Sequence, residues 1–175
     1  MAYLMPMHKG VLFHGSLVAE RIIDRETQAR VNDLYDIKTT SEMKGIEPDE
    51  DVFAQLVRVE TGQPNVAPRY SICLQDPVIL EFIRKNPDID FLAFITFILT
   101  HELLHVHRFS TGKADFFGAS QDEEALVDSL TRIFFIKHPV FGLNKAITLL
   151  DKLRPAPLYD KCILDDSGRS IHAYL

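Results

Sequence analysis

One pentapeptide in the chain, His101-Glu102-Leu103-Leu104-His105, has the residue types and spacing of a metal site. Successive residues of a helix are rotated by about 100°, so side chains four apart are offset by only about 40°. On a helix, His101 and His105 can therefore direct two imidazole nitrogens at one metal ion. Glu102 would lie beside the metal, where a general base for a metal-bound water is needed. Zinc suits such a site because it accepts nitrogen and carboxylate ligands and can keep one position for water.

The pentapeptide falls near the end of a long apolar segment that is expected to be helical. Asn86-Pro87 has the form of an N-cap followed by proline, which predicts a helix over about residues 87–109. The first half of this helix, 89–99, is apolar on all sides, so the helix should be central in the core. The two histidines would then sit on the most constrained element of the fold, and a catalytic site needs that rigidity.

The third metal ligand has to come from another segment, and Glu124 is our prediction. The residues from Ser120 to Glu123 have the form of a capping box and predict a helix that ends near Lys137. Glu124 lies in its first turn, and Asp128, one turn later, faces the same side. Glu124 would supply a carboxylate for zinc, and Asp128 a second carboxylate that orients a ligand imidazole. Glu123 is set aside because the capping box already engages it.

Two other residues compete for the third position. Asp115 follows His105 by ten residues and is the alternative metal ligand on chemistry and spacing. His107 lies about 200° from His105 on a continuous helix, so it could bind the metal only if the helix unwinds at Val106. The remaining histidines are expected to be surface or hydrogen-bonded side chains; they are His8, His14, His138 and His172.

The combination of the H-E-x-x-H pentapeptide with Glu124 and Asp128 resembles the gluzincin branch of the zincin metallopeptidases. In those enzymes the third zinc ligand is a Glu on a helix that follows the H-E-x-x-H helix. The resemblance covers roughly residues 87–137. It implies a zinc peptidase with an upstream strand lining the cleft, for which Arg69–Leu74 is the candidate. Asp115 has a spacing similar to that of the aspzincin branch. The metzincin pattern is not matched, because Arg108 and Thr111 stand where it has Gly and His.

Composition sets bounds on the class of protein. The chain has 175 residues and is expected to form a single domain, 1–175. A formal charge of −6 and a pI near 5.6 argue against nucleic acid or an acidic membrane as partner. Only two cysteines occur, 89 residues apart, and no export signal is apparent at the first residues. We therefore expect reduced thiols and a cytoplasmic protein. The sequence leaves the oligomeric state open.

The remaining elements are predicted from periodicity and turn residues. We expect the α+β class, mainly α, as a zincin-like helical domain with a buried H-E-x-x-H helix and a small β element. Helices are predicted over 16–35, from 48 to about 62, over 76–83 and over 143–153. A short strand is predicted at 11–13, a loop over 38–47, a strand over 69–74, and a hairpin that pairs 160–164 with 170–175.

These observations favour a zinc-dependent hydrolase, most simply a metallopeptidase that acts on a peptide or protein. In this hypothesis His101, His105 and Glu124 bind Zn²⁺, and Glu102 is the catalytic general base. The alternative is a catalytically inactive, zinc-binding regulatory or adaptor domain on the same frame. A third hypothesis is a helical interaction protein without a metal.

Overall fold

The computed structural model describes residues 6–43, 51–60, 66–118, 121–153, 159–164 and 170–171. Within these ranges the chain forms five α-helices, which are α1 (Pro6–Thr27), α2 (Asp76–Lys85), α3 (Phe91–Ser110), α4 (Gln121–Lys137) and α5 (Leu143–Leu153). It also forms five strands, which are β1 (Tyr35–Thr39), β2 (Ala54–Val59), β3 (Arg69–Leu74), β4 (Tyr159–Leu164) and β5 (Ser170–Ile171). A short 3₁₀ helix covers Thr40–Glu42. The predicted α+β, mainly α, class is confirmed.

The strands form one mixed sheet in the order β1-β3-β2-β4-β5. β3 pairs with β1 in parallel and with β2 in antiparallel, so that Ile72 lies opposite both Ile37 and Leu56. β2 continues the sheet in parallel with β4, and β5 pairs antiparallel with β4. The two strands with neighbours on both sides and described side chains, β2 and β3, are also the most buried.

α3 is the central element of the fold. Every side chain from Ala93 to His107 is buried, which confirms the prediction of a core helix. α1 crosses it at Gly15, where a Cβ atom would lie 3.0 Å from Cγ2 of Ile95. On another side, the ring of Phe97 stacks on Phe135 of α4 at 6.0 Å. Burying each large apolar side chain of α3 stabilises the fold by about 1.5–3 kcal/mol, so this helix is held from several directions.

The predicted start of α3 at residue 87 is wrong. The helix begins at Phe91, and the preceding Asp90 is extended and accepts a hydrogen bond from the N–H of Ala93 at 2.8 Å. This carboxylate satisfies one of the free donors of the first turn, so Asp90 rather than Asn86 is the N-cap of the helix. Asn86 instead forms a turn, in which its carbonyl accepts the N–H of Ile89 at 3.0 Å.

The helix predicted from 48 to about 62 is also wrong, because its described part contains the strand β2. Leu56 and Val57 are consecutive and both fully buried, and consecutive strand residues point to opposite faces. A strand covered on both faces has no alternation of polar and apolar residues, so its sequence resembles a short helical stripe. Pairing with β3 and β4 decides the structure here, as tertiary context often does.

The beginning of the chain differs from the prediction in a similar way. Residues 11–13 are helical rather than a strand, because α1 already begins at Pro6. The helix ends at Thr27, and Gln28 adopts a left-handed conformation with φ of 57°, so residues 30–35 do not continue it. Tyr35 opens β1, and the loop predicted over 38–47 contains the end of β1 and the 3₁₀ helix. Residues 44–47 lie outside the described ranges.

Several other predictions are confirmed. β3 has the predicted bounds, α5 covers 143–153, and α4 ends at Lys137 before His138-Pro139. α2 starts at Asp76 but runs to Lys85, two residues further than predicted, and Gln75 rather than Asp76 is its N-cap. The C-terminal hairpin is present as β4 and β5, and its predicted turn at 165–168 lies outside the described residues, as does the capping residue Ser120.

Replacing Gly142 should destabilise the start of α3. Gly142 joins α4 to α5 with φ of +82°, and a Cβ atom there would lie 2.7 Å from Cβ of Asp90, the N-cap of α3. We expect Gly142→Ala to lower the free energy of unfolding by roughly 1–3 kcal/mol. Gly10→Ala is the control, because Gly10 lies in α1 with nothing within 4 Å and should gain about 0.5–1 kcal/mol. Urea unfolding measures both, and equal stabilities would contradict the prediction.

The contact between α1 and the end of α4 should make stability depend on pH. Glu26 accepts hydrogen bonds from Nζ of Lys137 at 2.6 Å and from Nε2 of His138 at 2.8 Å. The bond from Lys137, followed by that from His138, lowers the pKa of Glu26 below its ordinary value of 4.5. A carboxyl with a lowered pKa in the folded state stabilises the protein above its unfolded pKa, and the contribution is lost as the pH falls.

Glu26→Gln should therefore be less stable than the parent at pH 7, by no more than about 1 kcal/mol for a partly exposed ion pair. The difference should become smaller as the pH falls below 4.5 and Glu26 is protonated in both the unfolded and the folded state. Thermal unfolding at pH 7 and pH 3 measures the difference, and a difference that persists undiminished at pH 3 would contradict it.

Candidate metal centre

His101, His105 and Glu124 lie together where the C-terminal half of α3 meets the first turn of α4. Each residue offers one ligand atom, and these atoms all lie within 4.8 Å of one another. Oε2 of Glu124 is 3.2 Å from Nε2 of His105 and 3.5 Å from Nε2 of His101. Because the histidines are four positions apart on α3, their rings lie on one side of the helix, with centroids 4.9 Å apart.

The donor set suits a tetrahedral metal, and the two separations that involve Glu124 are close to those in such a site. Ligands at the usual zinc distances of about 2.0–2.2 Å are separated from each other by roughly 3.3–3.6 Å in a tetrahedron. The two measured separations, 3.2 and 3.5 Å, are close to that range. Two imidazole nitrogens and one carboxylate also leave a fourth position for water or substrate. These three residues could therefore hold a metal ion.

Glu124 differs from the histidines in its exposure and its charge. Its side chain is 31% exposed, whereas those of His101 and His105 are 2% and 1% exposed. Burial raises the pKa of the Glu124 carboxyl, but hydrogen bonds and charges from His101 and His105 together lower it by more, to well below its usual range. Glu124 is therefore a carboxylate at neutral pH, which is the form that binds a metal, and solvent reaches the centre from its side.

Glu102 lies between the two histidines on α3 and is almost completely buried, with 1% of its surface exposed. A buried carboxylate is costly unless other groups stabilise it. Glu102 is next to two potential metal ligands on the same helix, and the sequence predicts the general base at this position. Its catalytic role stays a prediction.

Asp128 lies on α4 one turn after Glu124 and is buried. Its Oδ2 accepts a hydrogen bond from Nε of Arg132 at 3.1 Å. Nη2 of Arg132 lies 2.9 Å from Oδ1 of Asp151 on α5. Asp128 thus takes part in an ion-pair chain that connects α4 with α5. Its predicted role of orienting a ligand imidazole stays a prediction.

The two competing residues lie apart from the ligand group. Asp115 is exposed, and its Oδ1 accepts the N–H of Phe117 at 3.1 Å within the connection that follows α3. α3 stays helical through Val106, so His107 points away, and its Nε2 is 3.3 Å from Nζ of Lys113. Burial, followed by the charges of Lys113 and Arg108, lowers the pKa of His107. The described group that could hold a metal contains neither residue.

Three of the remaining histidines have other contacts. The ring of His8 meets Phe91 edge-on at 5.7 Å, and Nδ1 of His14 is 2.7 Å from the carbonyl oxygen of Gly10. His138 bonds to Glu26, as described above. These placements agree with surface or hydrogen-bonded roles, and His172 lies outside the described residues.

Sequence reasoning missed the part that Glu123 and Arg108 play beside the centre. The carboxylate of Glu123 accepts hydrogen bonds from Nε and Nη2 of Arg108 at 2.7 and 2.9 Å. Its Oε1 also lies 3.8 Å from Nδ1 of His105. A signal was present in the sequence, since Arg108 follows His105 by one helical turn and Glu123 precedes the predicted ligand. The assignment of Glu123 to a capping box obscured it.

An aromatic cluster encloses the site on the side of the sheet. The ring of Phe109 stacks on His105 with centroids 5.5 Å apart. Phe116 meets Phe109 edge-on at 5.2 Å, and Tyr70 of β3 lies 6.1 Å from Phe116 and 6.4 Å from Phe109. Burial, against the opposing charge of Arg58, raises the pKa of Tyr70. β3, the strand expected to line the cleft, thus reaches the centre through this cluster.

No protein-family model, curated protein or solved structure matches the chain. Among the described helices, none combines the length and the apolar character that a membrane span requires.

Two variants should identify the third ligand. We expect Glu124→Gln to weaken metal binding by at least about 10–100-fold, a loss seen even for residues that only support a ligand. Asp115→Asn should bind as the parent does, because Asp115 is exposed and outside the ligand group. Zinc per chain after dialysis, measured by atomic emission, gives the result once circular dichroism shows that both variants are folded. A greater loss of zinc binding in Asp115→Asn than in Glu124→Gln would instead identify Asp115 as the third ligand.

Proposed function

We propose that the protein is a zinc-dependent hydrolase, and most specifically a metallopeptidase. The observation that supports this best is that the ligand atoms of His101, His105 and Glu124 all lie within 4.8 Å of one another, with two separations of 3.2 and 3.5 Å that are close to those of a tetrahedral zinc site. Glu102 adds a buried carboxylate on the same helix. In the described residues, no other set of three or more His, Cys, Asp and Glu side chains could hold a metal ion in this way.

The roles of the residues follow from their positions. His101, His105 and Glu124 would hold Zn²⁺, which when bound supplies a Lewis acid for a carbonyl oxygen and lowers the pKa of water toward ~7. Glu102 would accept the proton of the attacking water and transfer it to the leaving amine. With two neutral imidazoles and one carboxylate, the ligands would neutralise only half of the charge of a bound Zn²⁺. The remaining positive charge would stabilise negative charge on a substrate oxygen.

The choice of peptide bonds as substrate rests on the resemblance to gluzincins. The chemistry of the centre suits the hydrolysis of many polarised carbonyl groups, whereas a Glu ligand on the helix after the H-E-x-x-H helix is typical of peptidases. The side chain of Glu124, the most exposed of the three ligands, marks the side from which a peptide would approach. The partner proposed for this site is therefore a peptide or protein substrate.

Glu102→Gln should keep the metal and lose hydrolysis. The amide is close in size to the carboxylate but cannot accept the proton, and loss of a general base typically reduces turnover by about 10²–10⁴-fold. Cleavage of a mixed peptide library, followed by mass spectrometry, measures turnover for the parent and the variant, each with its zinc content determined. Unchanged cleavage by the variant would remove Glu102 from this role.

The same measurement separates the alternatives. Zinc in the parent protein without cleavage of any library member would favour the regulatory or adaptor domain. A parent protein that contains no zinc, when purified without chelator, would favour a helical interaction protein. Cleavage that is abolished by a chelator and restored by zinc would support the peptidase.

A further inference from the structure

The pair formed by Arg108 and Glu123 lies beside the candidate metal centre but has no part in the roles proposed above. We propose that this pair positions the metal ligands, and we call it the α3–α4 clamp. The inference rests on the metal centre of the proposed function and adds two positioning residues to it. Neither residue would bind the metal itself.

The geometry of the clamp is that of a strong ion pair. Nε and Nη2 of Arg108 donate separate hydrogen bonds to the two carboxylate oxygens of Glu123, at 2.7 and 2.9 Å. The side chains are only 14% and 10% exposed. A bidentate pair fixes the orientation as well as the distance of its two groups, and partial burial protects it from screening by salt.

The clamp joins the two segments that carry the ligands. Arg108 follows His105 by about one turn of α3, and Glu123 directly precedes Glu124 in α4. The two helices are connected by ten residues, 111–120, so the chain alone does not hold them at a fixed separation. Because Glu123 and Glu124 are neighbours in one helical turn, holding the first restricts where the second can lie.

Arg108 is itself anchored by its backbone. Its carbonyl oxygen accepts the N–H of Lys113 at 2.8 Å and that of Ala114 at 3.3 Å, where the chain leaves α3. The residue thus fixes the start of the connection with its backbone and the start of α4 with its side chain.

The clamp also places a negative charge behind the second histidine. Oε1 of Glu123 lies 3.8 Å from Nδ1 of His105, which is longer than a hydrogen bond but close enough for electrostatic attraction. When a metal takes the place of the proton on Nε2, which lies 3.2 Å from Glu124, His105 would keep its proton on Nδ1. The charge of Glu123 would stabilise that form. The clamp therefore prepares both His105 and Glu124 for the same ion.

Zinc affinity of the full-length protein tests the clamp. Competition with a chromophoric chelator gives the affinities of the parent, Glu123→Gln, Arg108→Met and the double variant. We expect each single variant to bind zinc about 10–100-fold more weakly, as is typical when support of a ligand is lost. The double variant should be little worse than Glu123→Gln, because both changes break one interaction. Arg108→Lys should recover only part of the affinity, since lysine lacks the planar fork.

Glu81→Gln is the matched control. Glu81 and Arg84 form a bidentate pair on α2 with bonds of 2.7 and 2.8 Å, but both side chains are exposed and distant in sequence from the centre. This variant should bind zinc as the parent does. The visible absorption band of bound Co²⁺ is a second measurement. Its position reports the geometry of the ligands and would not change through a loss of stability alone. It should shift in the clamp variants and not in Glu81→Gln.

Parent-like affinity in Glu123→Gln and Arg108→Met would overturn the clamp, and so would strictly additive losses in the double variant. If the parent protein binds zinc but cleaves no peptide, the proposed hydrolase function is rejected. The zinc affinities of the variants still test the clamp in that case. A parent protein that binds neither zinc nor Co²⁺ would overturn both.

Discussion

The structure depends on burying α3 on every side although several ionisable side chains project from its second half. As whole residues, His101, Glu102 and His105 are each at most 1% exposed, and burying such groups is costly unless they are hydrogen-bonded, paired or bound to a metal. Apolar burial along the first half of the helix offsets this cost. Glu124 lies 3.2 and 3.5 Å from the two imidazoles, and in the proposed metal centre a cation held by all three side chains would offset more of this cost.

The other half of the centre depends on how α4 packs against its neighbours. Glu124 can complete the ligand set only if the first turn of α4 stays against the end of α3. Contacts hold α4 along its length, with Glu123 on Arg108 at the start, Phe135 on Phe97 further on, and Lys137 on Glu26 at the end. The ion pairs of Arg132 add a link to α5. The relative positions of ligands from two helices are therefore fixed as precisely as the packing of those helices. Side chains in a protein core pack about as densely as molecules in an organic crystal.

The sequence predicted the parts of this arrangement that are decided locally. The spacing of His101 and His105 needs only a helix, and the apolar run before them predicted that this helix is buried. Glu124 followed from ligand chemistry and from the start of a separate helix. The strand β2 was not predicted, because Leu56 and Val57 are buried by pairing with distant strands. Glu123 was missed because it was assigned to a capping box, and its partner Arg108, fifteen residues away, comes beside it only where α3 packs against α4.

Access to the centre follows from the uneven burial of its ligands. The His105 ring is covered by Phe109, which packs on Phe116 and Tyr70, so the side toward the sheet is apolar and closed to water. Glu124 remains 31% exposed, so in the proposed hydrolase a substrate carbonyl would enter from α4. An apolar wall behind a bound ion would lower the local dielectric and so strengthen the interaction between that ion and a developing negative charge. The side chains that enclose the histidines would thus also make the centre a stronger electrophile.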